Sequence, residues 1–245
     1  TITSENTIQY LASLFPYYKN NPNNQSNSSD FGANWKDFDD YRVEKLKVLE
    51  ATAKDISHFK NEILDVQDTD VIEKEKVLDF LYMFYYQFRE AEIDSIQLFE
   101  EKKVLKGLNS VELFESGKLI KTRSNFNHFF GNFLNYKAKK NCNITLYINS
   151  LNWSKDLIRG CLYNHCQNNE NNIKKVGKSY LIEETNINSP NFIFEKLNDS
   201  YYVTSGLVQG EIYNTCDKLK FQKELDSDGK GIIYVGDSEG DFLAL

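Results

Sequence analysis

Apolar residues recur at three- and four-residue steps through much of the first half of the chain. Val43, Leu46, Leu49, Ala53, Ile56, Phe59, Ile63 and Val66 form one such series, with Lys, Glu and Asp between them. Positions spaced in this way share one face of a helix, so an amphipathic helix is predicted over about 43–66. A second is predicted from about Val71, with Val77, Phe80, Leu81, Phe84, Tyr85 and Phe88 along one side. Ile93, Ile96 and Phe99 continue that helix or begin another. A third, Phe126 to Leu134, carries Phe129, Phe130 and Phe133. Aromatics at helical spacing are most simply core, so these faces are expected to be buried. From Val43 to about Tyr136 the pattern is of helices without a strand.

The pattern changes after about residue 138. Ile144-Thr145-Leu146-Tyr147-Ile148 is strand-like, Asn149-Ser150-Leu151-Asn152 is a turn, and Trp153 to Tyr163 is predicted to be a helix. Tyr180-Leu181-Ile182 and Phe192-Ile193-Phe194 are weaker strand candidates. Tyr201 to Ile212 reads as a hairpin with its turn near Gly206, and Lys218 to Leu225 as a short helix. Ile232-Ile233-Tyr234-Val235 shows no alternation and predicts a strand covered on both faces. Strands alternating with helices argue for an α/β fold with a parallel sheet and right-handed crossovers.

The last of these strands leads into Gly236-Asp237-Ser238-Glu239-Gly240-Asp241. Gly236 permits a tight exit, and the four-residue step from Asp237 to Asp241 suits one helical turn. Carboxylates beyond the carboxyl end of a strand are where an open α/β sheet collects ligands, and a hard divalent cation wants such oxygens. The same residues also read as an ordinary strand-to-helix turn in which Asp237 or Ser238 caps the helix. Ser150 follows another strand in the same manner, and Lys218 opens the helix that precedes the terminal strand. A hydroxyl, an ammonium and a metal-binding carboxylate are the groups that orient a phosphoryl group and neutralise its charge. Asp37-Phe38-Asp39 is an internal acidic candidate, but no buried strand precedes it, and it reads as the acidic lead-in to the first long helix.

Composition narrows the classes. With 36 acidic residues against 29 basic ones and a net charge of -7, the chain of 245 residues has no basic field for nucleic acid. No apolar stretch approaches the length of a membrane span. Cys142, Cys161, Cys166 and Cys216 form neither a zinc pair nor a disulfide framework. Cys161 and Cys166 flank His165, yet tetrahedral zinc needs four ligands and no second cluster follows. The sequons Asn143-Ile144-Thr145 and Asn152-Trp153-Ser154 sit in or beside a predicted buried strand, where a glycan has no room. A cytoplasmic protein is the expectation. Residues 20–34, rich in Asn, Ser, Pro and Gly, read as a mobile surface insertion.

In order and spacing, the chain resembles the haloacid dehalogenase-like hydrolases, and especially the branch that includes phosphoserine phosphatase. Ile144 to Ser150 matches the family's second motif, a strand ending in Ser or Thr. Asp217-Lys218-Leu219 matches the third, a Lys at a helix start, and Gly236 to Asp241 matches the fourth, G-D-x-x-x-D. Thr1-Ile2-Thr3-Ser4-Glu5-Asn6-Thr7 is similar to the close of the first motif, D-x-D-x-T, with Thr1 as its threonine. The resemblance implies a Rossmannoid core made of 1–11 and 138–245, truncated at both ends, with a helical cap, 12–137, inserted between motifs one and two. It implies that both catalytic aspartates lie upstream of Thr1, so that this piece would be inactive alone. It further implies aspartyl-phosphate chemistry on a small phosphorylated metabolite. Thr1, Ser150, Lys218 and Asp237 would be catalytic, Ser150, Leu151 and Lys218 would hold phosphate, and Asp237 and Asp241 would hold Mg2+. A catalytically inactive protein of the same fold, used for binding, is the rival reading. Response-regulator-like and flavodoxin-like modules also carry acids at strand ends, but neither inserts so long a helical stretch. The heavy use of Asn, Lys and Ile points to an AT-rich coding genome, as in a fungal member of the family.

Overall fold

The computed structural model describes residues 11, 14, 44–45, 47–48, 71–101, 103, 105–140, 145–167, 187–199, 201–226, 231–236 and 241. Helix α1 is Val71–Glu101, α2 is Ser110–Gly117 and α3 is Ser124–Lys140. Strand β1, Ile148–Asn149, is followed by α4, Lys155–Gln167. Then come β2 at Ile187–Asn188, β3 at Asn191–Asn198, β4 at Tyr201–Gln209 and helix α5 at Thr215–Asp226. The described residues thus form a mixed α/β structure with one small parallel and one small antiparallel pairing among them: β1 runs parallel to β2, and β3 antiparallel to β4. Among the described residues no helix is long and apolar enough to cross a membrane.

By contact the chain groups into two compact units, one of Thr1–Phe31 with Lys102–Ile212 and one of Gly32–Glu101 with Tyr213–Leu245. That grouping concerns contact. The expected insertion of 12–137 between two motifs concerns chain order and stands as a proposal.

In the first unit α2 and α4 cross with their backbones touching. A Cβ on Gly117 would fall 3.0 Å from Cys161 N and 3.0 Å from Gly160 Cα, and one on Gly160 would fall 2.9 Å from the Phe114 carbonyl carbon. Neither helix has room for a side chain at the crossing, so the neighbouring Leu113, Leu157, Cys161 and Leu162 close over it as core. Helix α2 went unread from sequence. Its start is marked by a reciprocal capping box, in which Asn109 Oδ1 accepts from Glu112 N–H at 2.7 Å and Glu112 Oε2 from Asn109 N–H at 3.0 Å.

Two sequence readings change in this unit. Tyr201–Gln209 is one continuous strand paired with Asn191–Asn198, so Gly206 lies within a strand and not at a hairpin turn. Gly206 instead adopts φ 94 and is pressed against Lys103, whose Cα would lie 3.1 Å from an added Cβ. It makes room for the 105–108 segment to run beside β4, where Gly107 N–H donates to Thr204 O and Thr204 N–H to Leu108 O. In α3, Phe130 is fully buried and Phe133 half-buried, but Phe129 is 53% exposed. Adjacent helical residues point about 100° apart, so Phe129 and Phe130 cannot share one narrow face.

In the second unit α1 is a single helix, with Ile96 and Phe99 buried and Leu81, Tyr85 and Ile93 half-buried, so 93–99 continue it. The remaining long-helix positions, 77, 80, 84 and 88, and most of 43–66, lie outside the described side chains. The apolar run before Gly236 departs from expectation. Residues 231–236 pair with no strand among those described, and Ile233 and Val235 are 93% and 81% exposed. Ile232 and Tyr234 are half-buried, so the segment is extended and one-sided where its composition suggested burial on both faces. Four apolar residues state a preference for burial; only elements packed against both faces of the segment can satisfy it.

Candidate functional site

The first unit holds Ser150 and Leu151 at the carboxyl end of β1. Ser150 N–H donates to Asn188 O at 3.0 Å, extending the parallel ladder by one residue. A chain of side-chain caps then turns the backbone into α4. Asn152 N–H donates to Ser150 Oγ at 3.1 Å, Ser154 N–H to Asn152 Oδ1 at 2.9 Å, and Leu157 N–H to Ser154 Oγ at 3.1 Å. Asn191 Oδ1 takes Lys155 N–H at 3.0 Å. The first bond fixes the turn out of β1, and the others satisfy backbone donors that the start of a helix would otherwise leave unpaired. Ser150 is the half-buried member, and its hydroxyl serves here as an acceptor. Asn152 is buried within this turn, so the second sequon offers no accessible amide. At the same strand ends Asn149 Oδ1 and Ser189 Oγ are buried with no hydrogen-bond partner among the described residues. Neither was singled out from sequence, where a lone Asn or Ser beside a turn reads as turn chemistry.

The second unit brings Lys218 and Asp241 together. Lys218 Nζ lies 2.7 Å from Asp241 Oδ1, and the two side chains are only 7% and 11% exposed. Tyr234 OH donates to the same oxygen at 2.8 Å. Gly236 allows this approach, because a Cβ there would lie 2.6 Å from Asp241 Cγ. Burial, then the hydrogen bond to Asp241 and its negative charge, push the Tyr234 phenol above its ordinary pKa, so it acts as a donor. Lys218 is the fourth residue of α5, one turn inside it, and its N–H makes an early bond of that helix to Asn214 O at 3.2 Å. Tyr234 was not singled out from sequence; the signal available was a hydroxyl-bearing aromatic two residues before Gly236 in an otherwise aliphatic run.

Thr1 and Asp237 lie outside the described residues. Ser150 and Leu151 belong to the first unit, Lys218 and Asp241 to the second. As a cation site the described residues fit in part. They offer one carboxylate, Asp241, with Oδ1 already turned to an ammonium and a phenol, and among the described residues no three His, Cys, Asp or Glu side chains gather. A magnesium ion here would therefore depend first on Asp237, with Asp241 secondary.

Cys161 and Cys216 are held as thiols by their surroundings. Burial pushes the Cys161 thiol up to about 11. Burial and then the charge of Asp217 push Cys216 up to about 11, against the opposing influence of Asn214 and Arg89. At pH 8 their thiolate fractions should be about 100-fold below that of an ordinary cysteine. Mass-resolved alkylation with N-ethylmaleimide should accordingly modify Cys161 and Cys216 far more slowly than glutathione in the same tube. Labelling at the glutathione rate would show that the two thiols are open to water.

Compared with protein-family models, curated proteins and solved structures, the chain matches none of them.

Proposed function

We propose that this chain is part of a magnesium-dependent phosphohydrolase of the haloacid dehalogenase-like kind, acting on a small phosphorylated metabolite. The observation that carries the reading is the buried contact of Lys218 with Asp241, two residues nominated separately by motif and standing 23 positions apart. Two buried charges survive only where they are paired, and a paired ammonium presented at the start of a helix is suited to phosphate. In this reading Asp241 and Tyr234 orient the Lys218 ammonium, which then balances charge on the phosphoryl oxygens. The motif resemblance assigns Ser150 to phosphate as well, and its Oγ, accepting from Asn152 N–H, keeps its own proton to donate. Magnesium would supply further charge neutralisation at those oxygens, held chiefly by Asp237.

The test uses the complete protein and p-nitrophenyl phosphate. Hydrolysis should require magnesium, and Asp237→Asn or Lys218→Ala should slow it by about 100-fold or more, as loss of a transition-state charge partner does. Full activity in Asp237→Asn would remove the metal role. Phosphate binding without any turnover in the wild type would favour the binding-protein reading of the same fold.

A further inference from the structure

Asp217 uses both carboxylate oxygens at the start of α5. Its Oδ2 accepts from the backbone N–H groups of Tyr213 at 2.8 Å and Asn214 at 3.3 Å. Asn214 Oδ1 in turn accepts from Cys216 N–H at 2.9 Å and Asp217 N–H at 3.2 Å. This reciprocal box fixes the first turn, and Lys218 is the next residue along it. The other oxygen, Asp217 Oδ1, takes Nε of Arg89 from α1 at 2.8 Å, with both side chains largely buried. The Arg89 guanidinium also lies over the Tyr213 ring, 5.7 Å from its centre. Burial works against the Arg89 charge, but the hydrogen bond and charge of Asp217 outweigh it and raise its pKa. Two more bonds tie the same turn to α1: Asn214 Nδ2 donates to Tyr85 O at 2.6 Å, and Cys216 Sγ to Tyr82 O at 3.6 Å.

We propose that Arg89 is a positioning residue for Lys218. Through Asp217 and the capping box it holds the first turn of α5 so that the ammonium stays on Asp241, and it thereby couples the placement of α1 to the charge offered at the site. The functional weight of this coupling rests on the reading of Lys218 as a phosphate-binding group. The planar guanidinium suits the task because it can meet a carboxylate edge-on while stacking over a ring, which an ammonium cannot do. Arg89 acts in this through Asp217 and the first turn of α5.

Selective 15N-lysine labelling of the 245-residue chain tests it. An ammonium buried on a carboxylate exchanges slowly with water and gives an NH3+ cross-peak, which Lys218→Met identifies. Arg89→Ala should abolish or broaden that peak, and Arg89→Lys should restore it only in part. Arg159→Ala, which removes the Arg159–Asp156 pair of α4 in the other unit, should leave it unchanged. If Arg89→Ala does not fold, Arg89→Gln is judged by the same peak. A peak unmoved in a folded Arg89 variant, whatever its melting temperature, would make Arg89 merely structural and overturn the proposal. Absence of the peak from the wild-type chain would overturn it as well. Inorganic phosphate added to the wild type separates the two readings. A Lys218 peak that obeys the Arg89 series but ignores phosphate would leave the coupling standing and sink only the phosphate-binding role.

Discussion

Replacing Asp241 by Asn should cost about 3 kcal/mol of stability, because it leaves the Lys218 ammonium buried with a neutral partner. The wild-type pair is 2.7 Å apart and nearly closed to water, so neither screening nor solvation can compensate for the lost charge. Asn keeps an acceptor for the Tyr234 hydroxyl, which isolates the effect to the ammonium. The informative comparison is the double variant Lys218→Met with Asp241→Asn. Removing the stranded charge should recover much of the loss, since replacing both members of a buried pair is far cheaper than removing one. Urea unfolding of the wild type, both single variants and the double variant reads this directly. A single Asp241→Asn variant within about 0.5 kcal/mol of wild type, the range of an ordinary surface change, would mean that the pair is open to solvent.

Gly160→Ala should be the second most damaging change, and its sign is the test. In an unobstructed helix interior, Gly to Ala stabilises by about 1 kcal/mol through backbone entropy and helix propensity. At Gly160 the new methyl would overlap the Phe114 backbone of α2, 3.0 Å from Gly117 Cα, and no flexible side chain is there to move aside. The two helices must separate, which loosens Leu113, Leu157 and Leu162 together, and a loss of about 3 kcal/mol is expected from overpacking against main chain. Gly231→Ala is the control, for a Cβ there meets nothing within 4 Å. Thermal unfolding should show a large drop for the first variant and none for the second. A stabilised Gly160→Ala protein would refute the close crossing.

The helices of this protein could be read in advance to different degrees, for physical reasons that differ by element. α1 announces itself through apolar spacing, which is local, whereas the caps Ser154 and Asn214 come to light in the structure, and α5 begins at Thr215, three residues before the expected Lys218. α2 is only eight residues long, too short for periodicity to register, although Asn109 and Glu112 carried its capping signal. In β4, the sequence around Gly206 suits a turn as well as a strand, because a glycine in a strand-like run allows either meaning. Its positive φ serves the passage of another segment, and a segment from a hundred residues earlier leaves no mark in the local pattern. The same holds for the candidate site. Lys218 and Asp241 could be nominated by spacing, whereas Arg89 acquires its role from Asp217, 128 positions along the chain, and Tyr234 from the same Asp241, seven positions on.

What the residues alone dictate is therefore whatever depends on a few neighbours: helical faces, caps, the apolar segment before Gly236, and the charged side chains poised near helix starts. Folding in three dimensions decided the rest. It chose which oxygen the Lys218 ammonium meets, left Ile233 and Val235 facing solvent, and pressed Gly117 against Gly160. Those outcomes hinge on contacts between residues tens of positions apart, whose energies are set by burial and distance and not by order along the chain.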